Sequence, residues 1–403
     1  MLHAHDKVVY NVFVFFILVY GLLTLFTHIE LIKNPYDDFF VHNDAAWSFY
    51  KWTMDEVVPL EWSQLIEGTL LNPAFYEYFL AELLFGTIAK IAVSFGIDDV
   101  RLALRCLCFV MGAFINTIIA DMLIKNKKSP KETFKNILCF GCISYLYITS
   151  AVFSRDIFVC LTYAAIGYVI LIPKCSFRFV KLLLLSFCAF GGRPENGVFA
   201  IVFVIAYYVS LRESKIINVL LTLLILLFIA VFVQYTSFVS DSMESLQNFE
   251  DLTKDNTGGV FQKVYSLPFP INKIAMVIYM LLQPLPMQKY ILGDGNSWFT
   301  LPFVLSPYMI FLVIVCCIWF IIKRSSINKV VSYYIMTSIL GFCLITFVSP
   351  DLRRSFATIP GLFGAYCLIQ NEIPRTYINF AKKTIWPVLL ITSMFFQIYI
   401  MTK

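Results

Sequence analysis

The chain has 403 residues, of which 59% are hydrophobic and 14% are charged, and its mean hydropathy is +0.77. Soluble domains carry about 25% charged residues, so this composition excludes a soluble globular protein and predicts a polytopic membrane protein. The formal net charge of +5 is typical of basic cytoplasmic loops in such a protein. Nucleic-acid binding is therefore not expected.

The apolar segments predict an all-α fold in one integral membrane domain, residues 1–403, because runs of apolar residues recur along the whole chain. Several runs are shorter than the ~20 residues that a spanning helix needs, so we expect about 10 to 13 membrane helices with some segments tilted or re-entrant. The segments are 8–29, 72–93, 101–123, 136–153, 157–172, 180–192, 197–211, 216–238, 273–287, 301–322, 330–348, 356–370 and 385–401.

Orientation follows from Lys and Arg, which concentrate in short cytoplasmic loops. Five basic stretches contain only two acids, Glu132 and Glu213, and are assigned to the cytoplasm: 125–135, 174–181, 212–215, 323–329 and 375–383. Most acids lie elsewhere, in and beside two polar stretches. The outward loops are therefore predicted at about 30–71 and 239–272, or to 300 at the widest, with outward interfacial helices. This scheme requires at least one end of segments 72–93 and 273–287 to be re-entrant, or one basic loop to be misassigned. The alternative, in which both are ordinary spans, places the polar clusters on both faces.

The first outward loop contains candidate general bases. Asp44 lies at helical spacing from Trp47 and Tyr50, which predicts an amphipathic helix at the membrane interface. Asp44, or alternatively Asp37 or Asp38, is interpreted as a base able to take a proton from a sugar hydroxyl. The competing interpretation is a solvated interfacial helix without chemistry.

Two turns between apolar segments carry arginines. Arg155 and Asp156 lie in the first turn, and Arg193 and Glu195 lie in the second, where Gly-Gly precedes Arg-Pro. A guanidinium fork matches phosphate oxygens, so Arg155 and Arg193 are candidate phosphate ligands. The alternative is an Arg–Asp or Arg–Glu pair that holds helix ends together.

A further pair, Arg353 and Arg354, begins an apolar segment on the predicted outward face. Two arginines on that face run against the positive-inside bias, which favours binding of an anion.

Metal and nucleotide chemistry are not predicted. The four histidines are scattered and the eleven cysteines lie mostly in apolar segments, without the paired spacing of a zinc site. No phosphate-cradling Gly-x-x-x-x-Gly-Lys-Ser/Thr loop is present. We therefore expect no metal and no cofactor.

The order of these features resembles the multi-spanning GT-C-type glycosyltransferases and the Wzy-type O-antigen or capsule repeat-unit polymerases. The features are a first span, an outward loop with an Asp beside an aromatic helix, Asn72, Pro73 and Tyr76 before the second apolar segment, outward arginine turns, and a late Arg-Arg before Pro360. The resemblance implies a catalytic carboxylate in the first loop and outward arginines that hold a polyprenyl (di)phosphate.

For this sequence the resemblance implies a glycosyltransferase of the bacterial inner membrane that polymerises undecaprenyl-linked repeat units on the periplasmic side. The roles that it implies are Asp44, Asp38 or Asp37 as base, Arg155, Arg193, Arg353 and Arg354 as phosphate ligands, and His42, Asp156 and Glu195 as supporting residues. Expected partners are the undecaprenyl-linked oligosaccharide and membrane lipid, with a flippase and a chain-length regulator as further candidates. The alternatives are transfer of a single sugar from undecaprenyl phosphate, or a lipid-linked oligosaccharide flippase or transporter.

Overall fold

The computed structural model describes residues 4–33, 53–67, 79–211, 264, 267–268, 271–282, 305–324, 328–348 and 352–401. All regular secondary structure in these ranges is helical, which confirms the predicted all-α class. The chain divides into two compact units, residues 1–200 with 294–305 and residues 201–293 with 306–403. The single integral membrane domain stays a prediction.

The helices before residue 211 belong to the first unit, except that residues 201–210 of the last of them belong to the second unit. They are α1 (Ala4–Lys33), a π-helix (Thr53–Val57), α2 (Trp62–Ile66), α3 (Phe79–Ser94), α4 (Val100–Lys125), α5 (Pro130–Ile143), α6 (Leu146–Thr149), α7 (Asp156–Leu171), α8 (Arg178–Gly192) and α9 (Pro194–Ser210).

The helices after residue 270 belong to the second unit. They are α10 (Ile271–Leu282), α11 (Ser306–Arg324), α12 (Lys329–Val348), α13 (Leu352–Ser355), a 3-10 helix (Phe356–Thr358), α14 (Ile359–Ile369), a second 3-10 helix (Gln370–Glu372) and α15 (Arg375–Met401).

Four helical segments in the described residues are long and apolar enough to cross a membrane, which supports a membrane protein. They are Asp6–Ile29, Val100–Lys125, Ser306–Lys323 and Lys329–Thr346. Shorter apolar helices cover Asp156–Leu171, Asn196–Ser210 and Ile271–Leu282. The total number of spans and the orientation of the chain stay predictions.

Helix α4 begins where the sequence supplies a turn and a cap. Gly96 has φ +68°, a backbone conformation that glycine adopts readily. Asp99 then caps the helix, because its carboxylate accepts a hydrogen bond from the Leu102 backbone N–H at 3.3 Å. Lys125 lies in the last turn, where the helix dipole favours a cation.

Helices α1 and α4 pack antiparallel, as contacts at both ends show. His28, near the end of α1, contacts the Asp99 carboxylate at 2.7 Å, while the rings of Phe13 and Phe114 lie 5.0 Å apart nearer the other end. Between them, Tyr20 donates a hydrogen bond to the Gly141 carbonyl of α5 at 2.8 Å. A Cβ on Gly141 would lie 2.2 Å from the Phe16 ring, so the close approach of α1 and α5 requires glycine there.

Helices α4 and α7 run parallel in the same unit. The Cys108 thiol lies 3.8 Å from the Ser154 carbonyl oxygen just before α7, and the Asn126 amide donates to the Leu171 carbonyl at 3.1 Å at the other end. Arg178 donates to the neighbouring Ile172 carbonyl at 2.6 Å. Two of the five basic stretches, 125–135 and 174–181, therefore lie at the same end of the first unit.

The basic stretch 375–383 is helical, whereas the sequence predicted a loop. It forms the first turns of α15, because no helix breaker follows Pro374 until Pro387. The Tyr377 and Trp319 rings lie 5.5 Å apart, and Tyr308 donates to the Lys382 carbonyl at 3.4 Å. Helices α11 and α15 therefore run antiparallel, and Lys382 lies beside the end of α11 opposite the basic stretch 323–329.

Residues 53–67, in the predicted first outward loop, pack on α3. Val57 of the π-helix contacts Gly86 so closely that a Cβ on this glycine would lie 2.4 Å from the Val57 side chain. Lys90 donates hydrogen bonds to the Val58 carbonyl, at 2.8 Å, and to the Leu60 carbonyl. Its ammonium also lies 5.3 Å from the Trp62 ring centroid. Lys90 and Gly86 of α3 thus both contact the segment 53–67.

Candidate functional site

Most of the predicted carboxylate site lies outside the described residues. Asp37, Asp38, His42 and Asp44 fall in residues 34–52, and the side chains of Glu195 and Arg353 are likewise outside the described part. Their roles stay predictions. The structure describes the surroundings of the other predicted site residues.

Arg193 and Asp156 form a buried ion pair. The Arg193 Nε donates to Asp156 Oδ1 at 2.7 Å, and each side chain is only 3% exposed. Asp156 lies in the first turn of α7, where the helix dipole favours a negative charge. The geometry matches the alternative in which an arginine and an aspartate hold two helix ends together. Asp156 is engaged by a cation, so it is not available as a general base.

Ser154 hydrogen-bonds to the Asp156 carboxylate of this pair. Its hydroxyl donates to Asp156 Oδ2 at 3.1 Å and accepts from the Asp156 backbone N–H at 3.2 Å. Both carboxylate oxygens are therefore hydrogen-bonded, as a buried charge requires. Asp156 therefore links the turn 153–156 to the turn that contains Arg193.

The Arg193 turn depends on glycines at helix contacts. Arg193 ends α8 in an extended conformation, and Pro194 begins α9 directly after it. A Cβ on Gly192 would lie 2.9 Å from the Phe158 ring, and one on Gly197 would lie 2.6 Å from the Phe190 Cα. Such distances leave no room for a larger residue. The Gly-Gly-Arg-Pro pattern thus allows α8 and α9 to turn tightly beside α7.

Asn196 lies one turn beyond Arg193 and is fully buried. Its backbone carbonyl accepts a hydrogen bond from the Tyr163 hydroxyl at 2.8 Å. In the part of the chain that the structure describes, its side-chain amide has no hydrogen-bond partner. We call Ser154, Asp156, Arg193 and Asn196 the Arg193 cluster.

Arg155 and Arg354 are both half-buried. Arg155 adjoins Asp156, so the Arg193 cluster fixes its backbone while part of its surface stays exposed. Arg354 belongs to α13 in the second unit. The predicted phosphate ligands are thus divided, with Arg155 and Arg193 in one compact unit and Arg353 and Arg354 in the other.

A second buried arginine, Arg105, is absent from the sequence prediction. It lies inside α4 and is 6% exposed, and its Nη1 donates to the Thr27 hydroxyl at 3.3 Å. One turn further along α4, Cys108 contacts Ser154 of the Arg193 cluster. We call Thr24, Thr27, His28, Asp99 and Arg105 the Arg105 cluster. The sequence signal was a charge inside an apolar segment, which is costly and often functional.

No three His, Cys, Asp or Glu side chains meet as a metal site would require anywhere in the described residues. The two clusters instead combine arginines and hydroxyls with an amide, a histidine and two carboxylates that are already hydrogen-bonded. Such groups are suited to binding an anion or a sugar hydroxyl.

No family model, curated protein or solved structure matches this sequence.

Proposed function

We propose that this protein is a glycosyltransferase of the bacterial inner membrane that joins undecaprenyl-(di)phosphate-linked repeat units of O-antigen or capsule. In this proposal Asp44, Asp38 or Asp37 deprotonates the acceptor hydroxyl. Arg155 binds the departing phosphate, and Arg193 positions Arg155 through Asp156. Arg353 and Arg354 are further candidate phosphate ligands.

The observation that supports this proposal most directly is the Arg193–Asp156 pair. It lies in an apolar helical unit with both side chains 3% exposed, where unpaired charge would be very costly. The pair holds the 153–156 turn at a fixed position, and Arg155 is the half-buried cation of that turn. A fixed, partly exposed guanidinium next to apolar helices suits a phosphate whose lipid tail lies in the bilayer.

The chemistry requires no nucleotide. A lipid-linked sugar is already activated as a phosphate ester, so the enzyme needs a base for the acceptor and positive charge for the leaving phosphate. The sequence supplies carboxylates in the first loop and arginines in the turns.

The proposed orientation places the two basic stretches of the first unit in the cytoplasm. Stretches 125–135 and 174–181 lie at one end of the first unit, where Asn126 bonds to Leu171. The Arg105 and Arg193 clusters lie towards the other end of α4, which the proposal places on the periplasmic side. Membrane lipid and the undecaprenyl-linked oligosaccharide are the proposed partners, with a flippase and a chain-length regulator as candidates.

The proposal is tested with purified protein and undecaprenyl diphosphate-linked repeat units in proteoliposomes. The wild-type protein should convert them to a ladder of longer glycans. Arg155→Ala should reduce the rate by at least about tenfold, because a lost charge-assisted hydrogen bond is worth about 1.5–3 kcal/mol, and Arg155→Lys should retain part of it. Arg178→Ala is the matched control, since Arg178 is a half-buried arginine that binds backbone at the other end of α7.

Separate outcomes identify the alternatives. Addition of a single sugar from undecaprenyl phosphate would indicate a single-sugar transferase, and movement of the substrate across the bilayer without elongation would indicate a flippase. A ladder that is equally strong in the wild type and in Asp44→Asn, Asp38→Asn and Asp37→Asn would remove the first loop from the catalytic role.

A further inference from the structure

The Arg105 cluster has more hydrogen-bond donors than acceptors. Within the described chain, Arg105 donates one hydrogen bond, to Thr27, and forms no ion pair with a carboxylate. The nearby Asp99 carboxylate is already occupied, with one oxygen on the Leu102 N–H and the other on His28. A buried guanidinium in this state is costly unless another anion approaches it.

Helix α1 has further buried polar atoms near Arg105. Thr27 and His28 follow Thr24 by three and four residues, so both lie next to it along the helix. Thr24 is 1% exposed and His28 is 4% exposed. In the described residues, the Thr24 hydroxyl and His28 Nδ1 have no hydrogen-bond partner. Nδ1 accepts from a protonated phosphate oxygen when the ring is neutral and donates to an ionised oxygen when the ring is protonated.

The position of Arg105 along α4 indicates which kind of anion it would bind. Helix α4 has 26 residues, about 39 Å at 1.5 Å per residue, whereas the hydrocarbon core of a bilayer is ~30 Å thick. If α4 stands upright and centred in the bilayer, each of its ends extends about 4–5 Å into the headgroup region. Arg105 is five residues from Val100, about 7.5 Å along the axis. It lies just inside the boundary, within side-chain reach of the level where lipid phosphates lie.

We propose that Arg105, together with Thr24, Thr27 and His28, binds the phosphate group of a membrane lipid between α1 and α4. The site is distinct from the turns that carry Arg155 and Arg193, and it does not depend on glycosyl transfer. Two sources carry the same phosphate chemistry, a lipid-linked sugar carrier and a bulk phospholipid.

The test is a thermal-unfolding titration of delipidated protein in phosphate-free detergent. The probes are undecaprenyl diphosphate, phosphatidylglycerol, inorganic phosphate and, as a phosphate-free lipid, diacylglycerol. At least one phosphate-bearing lipid should raise the Tm of the wild type while diacylglycerol does not. Arg105→Gln should weaken that binding by about tenfold or more, Arg105→Lys should weaken it less, and Arg178→Gln should leave it unchanged.

The probes also identify the source of the phosphate. A preference for undecaprenyl diphosphate indicates a lipid-linked substrate, equal binding of phosphatidylglycerol indicates a bound phospholipid, and a response to inorganic phosphate shows that the headgroup suffices. The proposal is overturned if diacylglycerol stabilises the wild type as well as the phosphate lipids do, or if Arg105→Gln keeps the full response. If Arg105→Gln does not fold, the wild-type arm and Arg105→Lys decide the question alone.

Discussion

Two buried arginines in the same unit have opposite surroundings. Arg193 is paired with Asp156 at 2.7 Å, and both oxygens of that carboxylate are hydrogen-bonded. Arg105 is almost as buried, but among the described residues it meets only the Thr27 hydroxyl. A charge whose partner is built into the fold serves the fold, whereas a charge without one is suited to an anion from outside. Substitution of Arg193 should therefore lower the stability of the protein, whereas substitution of Arg105 should change it little or raise it.

The largest loss of stability is expected from breaking the Arg193–Asp156 ion pair. Asp156→Ala leaves Arg193 buried without its carboxylate, which should lower the free energy of unfolding by about 3–5 kcal/mol. Chemical denaturation in detergent, or the Tm of the purified protein, measures it. The control is Lys125→Ala, which removes an exposed partner of Asp121 and should cost about 1 kcal/mol or less. Equal losses in the two variants would contradict a structural role for the Asp156 pair.

The next largest losses of stability are expected from glycine substitutions in the turns beside the two arginines. Gly197→Ala places a Cβ 2.6 Å from the Phe190 Cα beside the Arg193 cluster, so it should cost about 1–3 kcal/mol through overpacking. Gly96→Ala, in the turn before α4, has open space around its Cβ but a positive φ, and should cost about 1 kcal/mol. Unfolding measurements on both variants compare steric with conformational strain. A milder effect at Gly197 than at Gly96 would show that α8 and α9 separate easily.

A smaller effect is expected at the start of α4. Asp99→Ala removes the helix cap and the partner of His28, and should cost about 1 kcal/mol. Asp99→Asn should retain most of that stability, because asparagine is an equally good capping residue. If the asparagine variant loses as much stability as the alanine variant, the charge of Asp99 rather than its capping bond stabilises the junction of α1 and α4.

The smallest effect on stability is expected at Arg105 itself. In phosphate-free detergent, Arg105→Gln removes a buried charge without stranding a carboxylate, so the free energy of unfolding should change by less than about 1 kcal/mol or rise. Arg193→Gln, the matched substitution, should cost several times more because it strands Asp156. Comparable losses would indicate that Arg105 also has its partner within the fold.

The sequence predicted the fold class and part of the site for identifiable reasons. Long apolar runs predicted α1, α4, α11 and α12, because length and hydropathy alone define such helices. The Gly-Gly-Arg-Pro pattern indicated a tight turn, and one of its two interpretations, an Arg–Asp pair, is the arrangement found. Which acid would pair with Arg193 was not predictable, because Asp156 lies 37 residues away along the chain.

Other features could not be predicted from local patterns. Arg105 carries no turn motif that would indicate an anion ligand, because it lies inside helix α4, five residues after Val100. The basic stretch 375–383 was interpreted as a loop from charge alone. Charge density indicates exposure, but it does not stop a helix where no proline or glycine intervenes.

Lys90 provides an internal reporter for the segment 53–67. Its amine is occupied by the Val58 and Leu60 carbonyls and covered by the Trp62 ring. Lys90 is half-buried, and its amine loses these contacts when the segment 53–67 leaves α3. The rate at which an amine-reactive reagent modifies Lys90 in the unaltered protein would therefore measure how often this segment undocks.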